Sequence, residues 1–188
     1  MMAILRTVVV VGLCSLGAHA EAATQWIVNI EASRIAFSGT YSGHAFTGWF
    51  RKWAADITFD PDDLASSKAV VRVDVASAAT GDAINDKTLP TADWLDVTRC
   101  PTATFETTSF RTIGPGRYEA DGALEMRGVR LPLRLTFDLS IDGNMASMSG
   151  RASLKRLDFG IGKLSDAEGV WVSLEIPIEI TIVAQRKR

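Results

Sequence analysis

The chain has 188 residues, a formal net charge of −2 and 47% hydrophobic residues, which is the size and polarity of one domain able to bury its own core. Lysine and arginine are nearly matched by aspartate and glutamate, so no global field draws the protein to nucleic acid. Two histidines and two cysteines are too few for a zinc or copper centre, and no metal is expected.

The first residues, MMAILRTVVVVGLCSLGAHA, place Arg6 before an uncharged apolar run from Thr7 to Gly17, followed by Ala18-His19-Ala20. A basic start, an apolar run shorter than the roughly 20 residues of a membrane span, and a small-x-small ending read as a secretory signal peptide over residues 1–20. Cleavage is expected after Ala20, or two residues later after Ala22, leaving a single domain over 23–188. Cys100 is then the lone cysteine, so no internal disulfide can form although an exported protein would permit one. Beside Pro101, it reads as a small buried hydrophobe.

Strand signals follow in chain order. A short strand is expected at 25–29 and a longer one at 34–42, where Ile35, Phe37 and Gly39 share a parity. Residues 45–59 carry Gly48 and read as strand that bends or breaks around Arg51 to Ala54. Over 68–79, Ala69, Val71, Val73 and Val75 alternate with Val70, Arg72 and Asp74. The alternation then stops: "DAINDKTLPTADWLDVT", from Asp82 to Thr98, lacks period two and offers Thr91 as an N-cap after Pro90. One or two short helices are expected there, as a plug or lid over an open end. Strands resume at 103–113, 117–127 and 130–141. In the last of these, Leu131, Leu133, Leu135, Phe137, Leu139 and Ile141 alternate with Pro132, Arg134, Thr136, Asp138 and Ser140, giving one dry face and one wet face. Strands at 146–157 and 170–184 complete the set; in the second, Val170, Val172, Leu174, Ile176, Ile178, Ile180 and Ile182 lie on one parity, with Pro177 opposite marking an edge, bulge or bend.

Tight turns at Gly114-Pro115-Gly116 and Asp142-Gly143-Asn144 join antiparallel neighbours. The fold class is therefore all-β, an antiparallel up-and-down barrel of about eight strands, closed because open edges of this length invite pairing with other chains. Gly39, Gly48, Ala69, Ala120, Gly122, Gly150 and Ala152 fall on the inward parity. They either leave room for a ligand or make way for bulky neighbours across a filled core.

Catalytic chemistry is sparse. His44 stands in a turn, no Gly-x-Ser-x-Gly elbow or phosphate-binding glycine loop is present, and Asp56, Asp74, Asp138 and Glu175 lie on the wet face. No catalytic residue is assigned. An enzyme isomerising or cyclising an apolar substrate would need an inward polar group, for which Ser77, Thr107 and Tyr118 are the candidates. An interaction module would use Trp49, Trp53 and Trp171, at outward or bend positions, as a patch for a membrane redox partner. The oligomeric state is left open.

Several fragments together carry a family resemblance: Trp26 with Ser33-Arg34-Ile35-Ala36-Phe37; Gly48-Trp49-Phe50; Ile57-Thr58-Phe59-Asp60-Pro61; Leu89 with Ala92-Asp93-Trp94-Leu95-Asp96-Val97; Pro101-Thr102-Ala103-Thr104-Phe105; "GALEMRGVRLP" from Gly122 to Pro132; and Arg156-Leu157-Asp158-Phe159-Gly160-Ile161. In their order and spacing the chain resembles the YceI-like family, bacterial secreted proteins of lipocalin-like shape associated with polyisoprenoid lipids. The resemblance implies a periplasmic barrel holding an isoprenoid chain, polyprenyl or quinone, as ligand, with no other cofactor. It departs where Thr88 takes the place of the family's histidine and at Leu124-Glu125-Met126-Arg127-Gly128-Val129-Arg130, which affects headgroup contacts and leaves the apolar pattern intact. The candidate ligand-lining residues are Phe37, Val71, Val73, Leu124, Leu133, Leu135, Phe137, Leu174 and Ile176 from the strands. Trp94 and Leu95 from the insertion, and Phe105 and Phe159 from the family-like pieces, join them.

Overall fold

The computed structural model describes residues 24–188; the leader expected at 1–20 lies outside them. The elements are β1 (Gln25–Val28), β2 (Arg34–Tyr41), β3 (His44–Phe50), β4 (Trp53–Thr58), β5 (Lys68–Asp74), β6 (Ala78–Ala79), α1 (Ala83–Thr88), β7 (Thr102–Gly114), β8 (Arg117–Met126), β9 (Val129–Asp142), β10 (Met145–Lys155) and β11 (Glu175–Arg186). Single 3-10 turns occupy Val75–Ser77 and Arg156–Phe159.

Strands β7 to β11 form an antiparallel meander, and β4 and β5 continue it on the β7 side. Strand β11 then pairs with both β1 and β2, β1 pairs with β4, β2 with β3, and β3 with β6. So β1/β2, β3/β4 and β5/β6 are each one strand broken midway, and the sheet closes as an eight-stranded antiparallel barrel. The expected break after Phe50 is held by the Lys52 N–H on Ser77 Oγ (3.0 Å) and the Asp74 N–H on the Lys52 carbonyl (3.0 Å). It also resets parity: Phe46, Gly48 and Phe50 face inward before it, and Trp53 and Ile57 after it.

The two ends differ. At the end carrying the β7–β8 and β9–β10 turns, Phe59, Phe110, Tyr118 and Phe137 form an aromatic cluster with centroid separations from 5.2 to 6.3 Å, mostly edge to face. Trp26 Nε1 donates to the Phe59 carbonyl (2.9 Å), and this end is sealed. The other end carries the insertion and the segment between β10 and β11.

Two expectations are corrected here. The helix of the insertion precedes Pro90 and is capped by Asp82, whose carboxylate accepts from the Ile84 and Asn85 N–H groups (2.9 Å each); Thr91 caps nothing and donates to the Thr88 carbonyl (2.7 Å). The last strand begins at Glu175 and not at 170, leaving Val170 67% and Leu174 43% exposed. The reason is Arg156. This guanidinium, 1% exposed, donates to the carbonyls of Ile161 (2.8 Å), Asp166 (2.8 Å), Val172 (3.0 Å) and Ser173 (3.1 Å) and to Asp166 Oδ2 (2.7 Å). Carbonyls turned toward a central cation cannot serve a strand ladder, so 156–174 folds into a cap. Asp166 completes it by accepting from the Trp171 (3.1 Å) and Val172 (2.8 Å) N–H groups.

Burial alone would raise the Asp166 pKa, but the Val172 and Trp171 N–H groups and the Arg156 cation outweigh it and hold the carboxyl below its ordinary 3.8. A depressed carboxylate contributes stability above its unfolded pKa that is lost as pH falls through the folded one. Stability should therefore drop as the solution is acidified below 3.8, and Asp166→Asn should flatten that part of the pH–stability curve. Asp166→Ala, which strands a buried cation, should cost about 3–5 kcal/mol by urea denaturation at neutral pH.

Candidate functional site

The barrel interior is not filled. It holds a cavity of about 260 Å³ whose walls come from the inward parity of β2 to β11 and whose roof comes from Leu89, Trp94, Leu95, Arg156, Ile161 and Val172. The wall residues themselves register the space: Val71, Leu124, Leu133, Ala152, Ile176, Ile178 and Ile180 point inward yet remain only half-buried.

Of the residues expected to line a ligand site, Phe37, Val71, Val73, Trp94, Leu95, Phe105, Leu124, Leu133, Leu135, Phe137 and Ile176 converge on this cavity. Two do not. Phe159 is buried in the core beneath the cap, and Leu174 lies on the exposed stretch before β11. Sequence reasoning missed Phe46, Phe50 and Trp53. The first two follow the parity of Phe37 across the β2–β3 hairpin and were readable, whereas Trp53 was hidden by the parity reset. It also missed Arg156, which continues the inward series Ala152, Leu154 and signals a charge turned to the interior.

The inward glycines do not make the room. A Cβ on Gly48 would strike the Phe37 ring, one on Gly122 would come within 2.7 Å of the Phe105 ring, and one on Gly150 within 3.0 Å of Leu135. Each glycine is a seat for a large neighbour. Ala69, Ala103, Ala120 and Ala152 also line the cavity.

Polar groups on the lining are Thr107 and Arg156, and both are already bonded. Thr107 Oγ1 accepts from the Ala69 N–H (2.8 Å) and donates to the Ala69 carbonyl (3.2 Å), joining β7 to β5 just past the last backbone pair, Val70–Glu106. Tyr118 is stacked on Phe137, and Ser77 bonds the Asp74 carbonyl (2.6 Å) away from the cavity. The surface patch of three tryptophans is not assembled: Trp53 faces the interior, Trp49 is half-buried under the Arg34 guanidinium (4.7 Å), and Trp171 alone is exposed. His44 is exposed at the start of β3, and Cys100 is half-buried and free. Among the described residues no His, Cys, Asp and Glu side chains gather as a metal site.

The roof is clasped from two sides. Asp93, in the insertion, accepts from the Leu164 N–H (2.9 Å), the Ser165 N–H (3.0 Å) and the Ser165 hydroxyl (2.6 Å) of the cap. Burial pushes its pKa up, and these donors together with Arg127 bring it net below the ordinary value. Arg127, at φ 53 in the β8–β9 turn, donates to the carbonyls of Phe159 (3.1 Å), Ala92 (2.9 Å) and Trp94. The departure from the family pattern noted at Arg127 thus supplies a clasp for the roof.

A closed barrel enclosing a preformed apolar cavity is the class of protein these features define. The YceI-like domain model matches residues 26–184, and the chain belongs to that family. Similar relatives include UPF0312 proteins of Ectopseudomonas mendocina, 30% identical over 90% of this chain and 93% of the relative, and of Vibrio cholerae, 27% identical over 93% and 97%. Among solved structures, Burkholderia cenocepacia BcnA superposes with a TM-score of 0.80 at 25% identity, covering 84% of this chain and 99% of that one. A polyisoprenoid binding domain from Saccharophagus degradans, described as implicated in plant cell wall breakdown, superposes at 0.67 with 13% identity, covering 89% and 100%, a likeness of fold.

Filling existing space should cost less than the about 1–3 kcal/mol of overpacking a full core. Ala152→Phe should therefore fold with little change in melting temperature and abolish uptake of an apolar probe. Thr136→Lys, on the outer face, should leave both unchanged. A large fall in melting temperature for Ala152→Phe would mean that the interior is already packed.

Proposed function

We propose that the protein is a periplasmic lipid-binding protein that holds an isoprenoid chain, such as a polyprenyl lipid or a quinone tail, in the barrel and shields it from water for transport or storage. The observation that carries this reading is a preformed cavity whose wall is apolar and whose polar lining groups, Thr107 and Arg156, are already bonded to the backbone. Each buried CH2 contributes about 0.8 kcal/mol. A few isoprene units then offset the about 4–15 kcal/mol cost of association without any polar anchor. The Saccharophagus degradans domain, a polyisoprenoid binder of the same fold, supports the ligand class. The sequence of residues 1–20 supports export. Binding is favoured over catalysis because the inward polar side chains that an isomerase or cyclase would use are bonded to backbone or lie off the cavity.

Trp53 and Trp94 line the cavity, and quinones quench tryptophan, so the test is a fluorescence titration of the mature chain. A quinone bearing an isoprenoid tail should quench saturably, and squalene should reverse the quenching by competition. The same quinone ring without a tail should quench weakly and without saturation. Equal quenching by the tailed and tailless quinones would overturn the reading.

A further inference from the structure

Among the described residues, hydrogen-bonded pairing along the barrel wall stops between β9 and β10 beyond Thr136 and Arg151, and it also lapses between β2 and β11. Between the Phe37–Ile178 pair and the Tyr41–Val172 bridge, where the Ser173 N–H still donates to the Thr40 carbonyl (3.0 Å), Ser38 and Gly39 of β2 face the longer stretch Leu174, Glu175, Ile176 and Pro177. Pro177 has no N–H to give, and the excess residues bow the β11 side away from β2. Outside this gap lies a recess lined by the hydroxyl residues Ser38, Thr40, Thr47, Ser153 and Ser173, together with Glu175. The Phe46 side chain borders both the recess and the inner cavity. Beside it Gly39 contributes no side chain, since a Cβ there would come within 2.6 Å of Ser173 Oγ and 3.0 Å of the Phe46 ring. At this point the wall is one aromatic ring thick.

We propose that the bound chain passes sideways through the wall at Phe46, with its tail in the cavity and its polar end seated in the hydroxyl-lined recess between β2 and β11. This rests on the reading that the cavity holds a chain lipid. The polar groups on the cavity lining, Thr107 and Arg156, already bond the backbone, which favours a head held outside, and the recess is a polar surface that adjoins the cavity across a single side chain. Ser173 Oγ accepts from the Thr40 N–H (3.1 Å) and keeps its own proton to donate. The recess lining brings the Glu175 carboxylate and no cation, which selects a neutral head with carbonyl or hydroxyl oxygens over a phosphate.

The test is a footprint on the full mature chain with Cys100→Ser as background. A single thiol is introduced by Ser38→Cys in the recess or by Ser140→Cys on the outer face of β9, and its maleimide reaction is timed with and without a quinone carrying a two-isoprene tail. Tryptophan quenching reports loading in the same samples. At a probe concentration about ten times Kd, protection of a covered thiol is about tenfold. Ser38→Cys should show that protection and Ser140→Cys none, and Phe46→Ala should speed both loading and release. Geranylgeranyl phosphate should bind more weakly than the quinone, with Glu175→Gln narrowing the difference. Quenching without protection at Ser38→Cys would overturn the lateral seat and leave the chain-binding reading standing. No quenching in any variant would overturn both. A phosphate that binds as tightly as the quinone would overturn the neutral head.

Discussion

The wide end of the barrel depends on a single buried cation. Arg156 sits where the inward parity of β10 runs out, and its guanidinium draws four carbonyls and one carboxylate around it. An unpaired guanidinium in this position would cost several kcal/mol, so the segment after β10 has little choice but to fold over the barrel and supply acceptors. Burial pulls the Arg156 pKa down while Asp166 and Asp93 push it back, so the same carboxylates that shape the cap keep its centre charged. Its planar face also lies near the Trp94 ring (5.6 Å), joining the insertion to the cap.

With that end roofed and the other sealed by its aromatic cluster, the interior is an apolar space covered at both ends. On the outside, Arg111, Arg134, Glu119 and Asp121 form a charged network across β7, β8 and β9. Exposed pairs of this kind add little to stability, about 0–1 kcal/mol each, but they keep the outer face in water and fix which face turns in. The polar work of the interior is done by backbone-bonded groups, and what remains for a ligand is contact area.

Most of the architecture was legible because period two is enforced locally, residue by residue. Leu131 to Ile141 reads inward and outward in the structure as it does in the sequence. The errors arose where a distant group overrides the local pattern. Val170, Val172 and Leu174 keep the parity of β11, but Arg156 claims the Val172 and Ser173 carbonyls and turns that stretch into a cap. Trp53 appeared to lie outward because the Lys52 and Ser77 contact that breaks the strand shifts its register by one residue. The inward glycines could either leave room or seat bulky neighbours, and the pattern alone left this open because ring placement over Gly48 and Gly122 depends on rotamers that no periodicity reveals. The walls of the candidate site were therefore readable, and its roof, made of loops held by side chains far apart in sequence, was only partly so.

The central claim is that the interior exists to hold an apolar chain. Native mass spectrometry of the protein produced from its full sequence in bacteria and purified without detergent tests it most directly. The account predicts a barrel carrying one extra mass, released by organic solvent and composed of isoprene repeats. A spectrum of the bare chain alone, from protein that also fails to take up added polyprenyl lipid, would contradict it.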